Sequence, residues 1–420
     1  MIDAIILREY ESTLVDLDAA SAAAITRATA GKLTITPTPT PGRFSMTAAQ
    51  FVGTIVLPKH QILIRPKVPL ENLFFMLEAG LNKVEWRGDL FGFERHEQLL
   101  AAFATIFERE LHRATSRGLL HAYRTFAEPL PALRGRIDVP AMIRRRGVLV
   151  PVDCRFEEFT PDIPENRLVK AAIRRLLMMP GVWQPTRRGL RATLAQFEPV
   201  GEDANPTVAD RFRPNRLSRH YQALMKLAAI VVRATSLVDR AGTVGAESFL
   251  IDMNLLFQDF VTDRLRRHLT GELEVQAEPR ITLDIHGSVA MLPDIVIRSR
   301  GERLLVADAK YKLLDDKLRG RHADYYQLLA YTTALDLDDG LLIYCLGDQA
   351  EGDDHLRTVT VRHAGKRLTA VRVDLSGPRS ELEESMRSLA ELVRSLANGS
   401  LGRHETHPDA RWLDRNRAAS

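Results

Sequence analysis

Two apolar, β-type runs joined by a short turn at residues 299–302 constrain this chain more than any other feature. Asp294 opens the first run, and Asp308 and Lys310 close the second. Antiparallel pairing across a turn of this length places the start of the first strand beside the end of the second. Asp308 and Lys310 are two residues apart and point to one face of a strand. The pattern therefore predicts that the three side chains converge.

Two carboxylates and an ammonium group in one place are suited to phosphodiester hydrolysis. Carboxylate oxygens are the ligands that Mg²⁺ prefers, and Mn²⁺ can substitute for it. Such a metal polarises the phosphoryl oxygen and helps to generate hydroxide, and a neighbouring lysine offsets charge in the transition state. The alternative is that Asp308 and Lys310 are solubilising charges on an edge strand. The second run is apolar up to Asp308, however, which is typical of a central strand.

Composition excludes several other classes of protein. The chain has 420 residues, 45% of them hydrophobic and 27% charged, which is typical of a globular protein of more than one domain. Its two cysteines, Cys154 and Cys345, are far apart, so neither a disulfide framework nor a zinc site is expected. No apolar run is long enough to span a membrane, and the N-terminus lacks a basic signal-peptide region. A cytoplasmic protein without membrane contact is predicted.

Positive charge is concentrated in the middle of the chain. Residues 121–235 contain 20 Lys and Arg against 11 Asp and Glu, whereas the net charge of the whole chain is +4. A basic segment between nearly neutral or acidic ones is typical of a region that contacts a polyanion. A solvated basic surface would give the same pattern.

The order of the predicted elements indicates an α+β protein of several domains. A β-rich N-terminal domain is predicted for residues 1–92, and a helical, basic middle region for residues 93–235. A compact α/β domain with a mixed sheet is predicted for residues 236–397, followed by a polar tail at residues 398–420.

The spacing of apolar residues places the individual elements. Strands are predicted at residues 2–7, 32–36, 51–57, 61–65, 273–277, 281–285, 289–297, 303–307, 340–346, 359–361 and 370–373. Helices are predicted at residues 93–117, 165–179, 216–232, 249–269, 325–335 and 380–396. Residues 58–60 are predicted to form a hairpin turn, and residues 133–139 a turn leading into a strand.

Two of these helices carry further candidate residues. Gln327 and Tyr331 are four residues apart on one helical face, suited to contacting a phosphate or supporting the lysine. The helix predicted at 249–269 carries Gln258 and Asp259 near its middle, where an acidic side chain would supply a third metal ligand. For Gln327 and Tyr331 the alternative is an ordinary helix surface.

The pattern of Asp294, Asp308 and Lys310 resembles that of the PD-(D/E)xK nuclease superfamily. The chain as a whole resembles the McrC family, the nuclease subunit of McrBC-type modification-dependent restriction systems. The ordered blocks that carry this resemblance are LREYE, VGTIVLPKHQILIRPKV, LRGRIDV, CRFEEFTPDIPENRLVKAAI, FLIDMNLLFQDFV, PDIVI, ADAKYK and DYYQLLAY. The resemblance implies a C-terminal PD-(D/E)xK nuclease domain with Mg²⁺ bound by Asp294 and Asp308.

This chain departs from the family pattern in one helix. The family's helix usually has an acidic residue where this chain has Gln258. The carbonyl oxygen of Gln258 or the adjacent Asp259 would then complete the metal site. Gln327 and Tyr331 resemble a motif that follows the lysine in RecB-like nucleases.

The resemblance also implies a division of labour between two proteins. An AAA+ GTPase hexamer of the McrB type would recognise modified DNA, as in 5-methylcytosine-specific systems, and translocate it. This chain would dock on the ring, stimulate GTP hydrolysis and cut the DNA. It contains no G-x-x-x-x-G-K-[ST] phosphate loop, so it is not expected to bind a nucleotide itself. Five arginines of the middle region are expected to contact DNA or the GTPase: Arg134, Arg136, Arg144, Arg145 and Arg146.

Two other functions remain open on the sequence. A stand-alone RecB-like nuclease would use the same site without a GTPase, but the long N-terminal region would be unexplained. Two isolated cysteines also cannot form the iron–sulfur cluster that such nucleases often carry. A catalytically inactive adaptor that binds DNA or activates the GTPase is favoured by Gln258 and opposed by the intact Asp294, Asp308 and Lys310.

Overall fold

The computed structural model of the protein describes residues 3–29, 31–56, 60–77, 99–144, 150–237, 247–312, 322–346 and 356–404. Several sequence predictions fall partly or wholly outside these ranges. They are the turn at residues 58–60, the first residues of the helix at 93–117, Arg145 and Arg146, and most of the C-terminal tail. Within the described ranges, no helix is both long and apolar enough to cross a membrane.

The first part of the chain alternates strands and helices. In chain order it contains β1 (Asp3–Arg8), β2 (Ser12–Asp16), α1 (Ala19–Thr29), β3 (Leu33–Pro37), β4 (Arg43–Ala48), β5 (Phe51–Val56), β6 (His60–Arg65) and α2 (Leu70–Leu77). The four strands predicted for this part of the chain are confirmed, with small shifts of their ends. Sequence periodicity misses α1 because alanines, rather than a stripe of large apolar residues, form much of its buried side.

A small core lies between these strands and α1. A three-stranded antiparallel sheet in the order β2–β4–β3 forms one wall. Leu7, Ile25, Met46 and Ile62 fill the space and are fully buried. This packing fixes the end of β1, from which Glu9 and Tyr10 continue.

The middle region combines packed helices with a long β-hairpin. Its elements are α3 (Leu99–Thr115), β7 (Ala122–Leu130), β8 (Arg136–Ile137), α4 (Val139–Arg144), β9 (Val152–Thr160), α5 (Pro164–Met178), α6 (Gln184–Leu194), α7 (Thr207–Arg211) and α8 (Gln222–Ala234), with 3₁₀ turns at Ala195–Phe197 and Arg219–Tyr221. Helix α3 packs against α6 and α8, and α5 against α6 and α8. The predicted helix at 216–232 begins late, since residues 216–218 precede the second 3₁₀ turn.

The expectation of a helical middle region is wrong for the hairpin. Strands β7 and β9 pair antiparallel over nine residues each, and β8 pairs with the other side of β9. Most side chains of β7 are exposed, and its sequence AYRTFAEPL mixes charged, aromatic and proline residues. No apolar alternation therefore marks this strand in the sequence.

The last part of the chain builds a mixed sheet with its helices. It contains β10 (Thr235–Leu237), β11 (Glu247–Asp252), α9 (Met253–His268), β12 (Glu274–Ala277), β13 (Ile281–Thr282), β14 (Ala290–Met291), β15 (Ile295–Ser299), β16 (Glu302–Lys310), α10 (His322–Ala334), β17 (Asp339–Leu346), β18 (Leu356–Thr360), β19 (Arg367–Asp374) and α11 (Arg379–His404). The single strand predicted at 289–297 is divided into β14 and β15. Helix α11 continues to His404, into the predicted polar tail.

Residues 247–252 correct the prediction that a helix begins near residue 249. They form β11, which pairs antiparallel with β5 and completes a sheet in the order β1–β6–β5–β11–β10. The helix begins only after Asp252, whose carboxylate accepts hydrogen bonds from the backbone N–H groups of Asn254 and Leu255 and so caps α9. The N-terminal sheet therefore extends across the domain boundary predicted at residue 236.

A second sheet has six strands in the order β12–β15–β16–β17–β19–β18. Strand β16 is central, antiparallel to β15 and parallel to β17, so the sheet is mixed. Helices α9 and α11 pack on one face of β16, and α10 packs on the other. The mixed sheet predicted for this region is confirmed. Because side chains alternate along β16, Ala307 and Ala309 lie on the face covered by α9 and α11, and Val306 lies on the face covered by α10.

Glu9 and Tyr10 connect the two sheets. The hydroxyl of Tyr311, which follows β16, donates to Glu9 Oε1 at 2.8 Å, and the hydroxyl of Tyr10 donates to the Tyr311 carbonyl at 2.7 Å. The backbone N–H of Lys67 also donates to Glu9 Oε1, at 2.6 Å. Glu9 is fully buried, and burial raises its pKa from 4.5 to about 7, although the hydrogen bonds from Lys67 and Tyr311 lower it.

This buried carboxyl group predicts a pH-dependent stability. Because its pKa is raised in the folded state, its contribution to stability is complete below pH 4.5 and is lost as the pH rises through about 7. We expect the free energy of unfolding to fall by about 2–3 kcal/mol between about pH 5 and about pH 8. In Glu9→Gln this part of the pH dependence should vanish, whereas Glu11→Gln, an exposed control two residues away, should keep it. Urea unfolding at the two pH values measures the free energy of unfolding. An equal change with pH in the wild type and in Glu9→Gln would refute the prediction.

Candidate active site

Asp294 and Asp308 lie side by side on neighbouring strands. Ile295, the first residue of β15, pairs with Ala307 of β16, so the register places Asp294 directly opposite Asp308. Both residues lie on the face covered by α10, because their neighbours Ile295 and Ala307 belong to the core on the other face. Asp308 and Lys310 occupy alternate positions of one strand and share this face. The structure thus brings together the three side chains selected from the sequence.

Asp308 is the most deeply buried member of this cluster. It is 1% exposed, and Lys310 Nζ lies 2.5 Å from its Oδ2 atom. Its Oδ1 atom is buried and accepts no hydrogen bond from the residues that the structure describes. Burial raises the pKa of Asp308, against the opposing effect of Lys310.

Asp294 is held by the neighbouring strand. Its Oδ2 atom accepts a hydrogen bond from the backbone N–H of Ala309 at 2.8 Å, which fixes the carboxylate over the end of β16. Burial and, after it, the negative charge of Asp308 raise the pKa of Asp294 to about 7, although the Ala309 N–H and Lys310 act in the opposite direction. Two buried carboxylates in contact thus carry strong mutual repulsion.

Lys310 supplies the positive charge of the cluster. Burial alone would lower the pKa of its ammonium group, but the carboxylates of Asp308, Asp294 and Asp324 outweigh burial and raise it. The lysine is therefore charged at neutral pH. Its side chain is 19% exposed, so the ammonium group is reachable from solvent.

Sequence reasoning missed a third buried carboxylate, Asp324 in the first turn of α10. Asp324 is 4% exposed; Lys312 Nζ lies 3.0 Å from its Oδ1 atom, and the Tyr344 hydroxyl donates to Oδ2 at 3.0 Å. Its charge also raises the pKa of Asp308. Helical spacing places Asp324 one turn before Gln327 in the block DYYQLLAY, but nothing in the sequence indicates that its carboxylate meets the sheet. With Lys312 and Tyr344 as partners, Asp324 links α10 to the end of the sheet.

Glu278 is the second missed residue. Its backbone N–H donates to the Asp294 carbonyl at 2.9 Å, and its negative charge raises the pKa of Asp294. Gln258 Nε2, from α9, donates to Glu278 Oε1 at 3.0 Å, so Gln258 reaches the site through this glutamate. Asp259 instead lines a separate cavity of about 200 Å³, together with Lys32. The spacing of residues along the sequence could not predict that Glu278 lies at this site, because its position depends on the pairing of β12 with β15.

Gln327 and Tyr331 contact each other on the sheet-facing side of α10. Gln327 Nε2 donates to the Tyr331 hydroxyl at 2.8 Å, and that hydroxyl donates to the Leu292 carbonyl at 3.3 Å. Burial raises the pKa of Tyr331, and Asp308 and Asp294 add to this effect while Gln327 and Lys310 oppose it. The pair therefore lies close to the carboxylates and restrains the segment that leads into Asp294.

The donor set fits a hard divalent cation only in part. Asp294 and Asp308 present carboxylate oxygens, and the buried Oδ1 of Asp308 accepts no hydrogen bond from the described residues. Among the described residues, however, no three His, Cys, Asp or Glu side chains are arranged as a complete metal site. The arrangement is a two-carboxylate cradle beside a lysine, with Glu278 and Gln258 at its edge.

The arginines selected from the sequence lie far from this cradle in the chain, around the β7–β9 hairpin. Arg134 lies 3.2 Å from Glu158 in an ion pair and stacks over the ring of Phe156. Arg136 belongs to β8 and Arg144 ends α4, and both are exposed.

Comparison with known proteins supports a specific family. Residues 46–345 match the family described as "McrBC 5-methylcytosine restriction system component". The structure is similar to one described as a refined half-complex from a tetradecameric assembly of Thermococcus gammatolerans McrB AAA+ hexamers with bound McrC. The TM-score is 0.51 and the identity 18%, over 93% of this chain and 100% of that chain. A cryo-EM structure of the Thermococcus gammatolerans McrBC complex gives a TM-score of 0.38 and 20% identity, over 64% of this chain and 88% of that chain. None of the curated proteins matches this sequence.

The fold defines a mixed α/β protein whose two sheets share one extended core, with paired carboxylates at the end of the second sheet. The family match covers well over half of the sequence. The chain therefore belongs to the McrBC family of restriction-system components, as the ordered sequence blocks predicted.

Proposed function

We propose that this chain is the Mg²⁺-dependent DNA endonuclease subunit of a GTP-dependent restriction complex that acts on modified, 5-methylcytosine-type DNA. The observation that carries the proposal is the pair Asp294 and Asp308 on adjacent strands beside Lys310, with a buried carboxylate oxygen left unpaired. Membership of the McrBC family supports the restriction context.

The cluster supports a division of roles among its residues. Mg²⁺, when bound, would polarise the scissile phosphoryl group and help to generate hydroxide. Asp294 and Asp308 would hold the ion, with a further oxygen from Gln258 or Glu278. Lys310, charged at neutral pH, would neutralise the negative charge that develops on the phosphoryl oxygens.

The proposed partner is an AAA+ GTPase hexamer of the McrB type. The far end of the β7–β9 hairpin offers a surface for it, because this end carries exposed apolar side chains together with Arg134, Arg136 and Arg144. The apolar residues are Leu133, Ile137, Val139, Ile143 and Val150. Exposed apolar groups of this kind mark protein contacts, whereas arginines serve equally on a protein and on DNA. The similar structure described above contains McrB hexamers with bound McrC, which supports the same type of partner here.

The test is plasmid cleavage by the full chain with Mg²⁺, with and without an McrB-type GTPase and GTP, on methylated and unmethylated DNA. We expect cleavage to require the GTPase and GTP. In Asp308→Ala and Lys310→Ala, cleavage should fall more than about a hundredfold while stimulation of GTP hydrolysis persists. Glu391→Ala, which removes an exposed carboxylate from α11, should cut like the wild type.

The other outcomes identify the competing functions. Cleavage without GTPase or GTP would indicate a stand-alone nuclease. A wild-type chain that stimulates GTP hydrolysis but never cuts DNA would indicate an adaptor, with Gln258 as the residue to restore to glutamate. Unchanged cleavage in Asp308→Ala would refute the proposed site.

A further inference from the structure

A basic cavity of about 680 Å³ opens on the middle region, away from the candidate active site. It lies where the C-terminal end of α3 meets the start of β7, the end of β9 and the 3₁₀ turn at Arg219–Tyr221. Neither Asp294 nor Asp308 lines it, and it lies at the opposite end of the β7–β9 hairpin from Arg134. Its volume is within the range of cavities that bind small organic groups.

Four arginines line the basic cavity, and none of its lining residues is acidic. Arg113 is paired with Glu110 on its own helix. Arg117, Arg216 and Arg219 are exposed and have no ion-pair partner among the described residues. Three uncompensated guanidinium groups around one concave surface attract an anion with several charged oxygens.

His220 reports the positive field inside the basic cavity. Burial lowers its pKa, and the charges of Arg117 and Arg113 lower it further, against a hydrogen bond with the Leu217 backbone. The positive charges of both arginines therefore reach His220, which lines the cavity with them.

An aromatic stack stands at the mouth of the same cavity. The ring of His121 stacks on that of Phe159 at a centroid distance of 5.1 Å and an interplanar angle of 27°. The ring of Tyr123 lies 5.2 Å from that of Phe159 at a tilted interplanar angle of 47°. Phe159 is 58% exposed and Tyr123 is 72% exposed, so the aromatic surface faces solvent and not a core. A cluster of exposed aromatic rings of this kind is typical of a binding surface.

We propose that the basic cavity binds single-stranded nucleic acid, with backbone phosphates on Arg117, Arg216 and Arg219 and an unstacked base against Phe159. Arginines and exposed aromatic rings together are the chemistry that single strands require, because each nucleotide offers both a phosphate and a π-face. A duplex hides its base faces and would use only the arginines. The site lies apart from the two-carboxylate cradle, so it goes beyond the proposed cleavage function.

The charge test is the affinity of the full chain for a fluorescent oligothymidylate of about 15 nucleotides, in EDTA and without any GTPase. In Arg216→Ala/Arg219→Ala, we expect affinity to fall at least about tenfold. The slope of log K against log salt should flatten by about 1.4, or about 0.7 for each lost phosphate contact. The matched control is Arg188→Ala/Arg191→Ala, which removes two exposed arginines of α6 outside the cavity and should leave both values unchanged.

The stacking test uses Phe159→Ala and Phe159→Trp. Phe159→Ala should lower single-strand affinity about tenfold without changing the salt slope, and tryptophan should retain the affinity. Affinity for a duplex of the same length should change less than twofold in Phe159→Ala. Thermal midpoints confirm that each variant is folded, and an oligouridylate competitor shows whether the cavity prefers DNA or RNA.

Two results would overturn the proposal. One is an equal effect of the cavity double variant and the α6 double variant on affinity and salt slope. The other is full single-strand affinity in folded Phe159→Ala. Because binding is measured without Mg²⁺ and without cleavage, either result leaves the proposed endonuclease function untouched.

Discussion

Asp294→Asn should abolish DNA cleavage and, at the same time, make the metal-free protein more stable. The asparagine Oδ1 atom can still accept the hydrogen bond from the Ala309 N–H, so the local backbone is preserved. The substitution removes one of two carboxylates buried against each other, and with it a repulsion that Lys310 and the Ala309 N–H offset in part. We expect cleavage to fall more than about a hundredfold. The free energy of unfolding in EDTA should rise by about 1–2 kcal/mol, as is common when a strained functional site is neutralised.

Adding Mg²⁺ separates a metal-binding role of Asp294 from a purely structural one. An ion that binds only the folded state raises the melting temperature, and the effect grows with the ratio of its free concentration to its dissociation constant. Millimolar Mg²⁺ should therefore stabilise the wild type and leave Asp294→Asn unaffected. Asp203→Asn, an exposed control, should behave like the wild type in both cleavage and stability. A destabilised Asp294→Asn protein, or equal stabilisation of both proteins by Mg²⁺, would contradict a metal site at this position.

The convergence of Asp294, Asp308 and Lys310 could be predicted because it depends on local structure. Two apolar runs and a turn are neighbours in sequence, so pairing, register and the face of each side chain follow from short-range rules. The same holds for Gln327 and Tyr331, four residues apart on one helix. These parts of the candidate site need no knowledge of distant contacts.

Glu278 and Asp324 could not be placed by the same rules. Glu278 follows β12 with a positive φ of 45°, and it reaches Asp294 only because β12 pairs with β15. Asp324 contacts the sheet by accepting a hydrogen bond from the hydroxyl of Tyr344 in β17, a strand that follows α10 in the chain. Their positions are set by tertiary packing, which a spacing pattern does not encode.

The strand β11 shows how tertiary contacts override a local pattern. Residues 249–252 read FLID, and an apolar run of this kind suits a buried strand or a buried helix equally. Residues 247–252 form a strand because their backbone pairs with β5, which lies almost two hundred residues earlier in the chain. Asp252 then ends the strand and caps α9, so that the helix carrying Gln258 begins four residues later than predicted.

Gly53→Ala should be among the most destabilising single substitutions in the N-terminal sheet. Gly53 lies in β5, between Ile64 of β6 and Leu250 of β11, with φ at +145°. A Cβ atom at this position would lie 1.9 Å from the Phe249 carbonyl oxygen, which belongs to the backbone of β11 and cannot rotate away. The strands would have to separate or the backbone would have to distort, and we expect a loss of about 3 kcal/mol or more in unfolding free energy.

The matched control is Gly42→Ala, which separates the clash from backbone strain. Gly42 also has a positive φ, of 77°, but a Cβ atom there would meet nothing within 4 Å. Gly42→Ala should therefore cost only about 1 kcal/mol. Urea unfolding followed by circular dichroism compares the two variants under one condition. Equal losses would mean that β11 does not press against β5 in solution, and the pairing that joins residues 247–252 to the N-terminal sheet would have to be abandoned. If the two strands pack closely, Gly53→Ala should lower the free energy of unfolding about three times as much as Gly42→Ala.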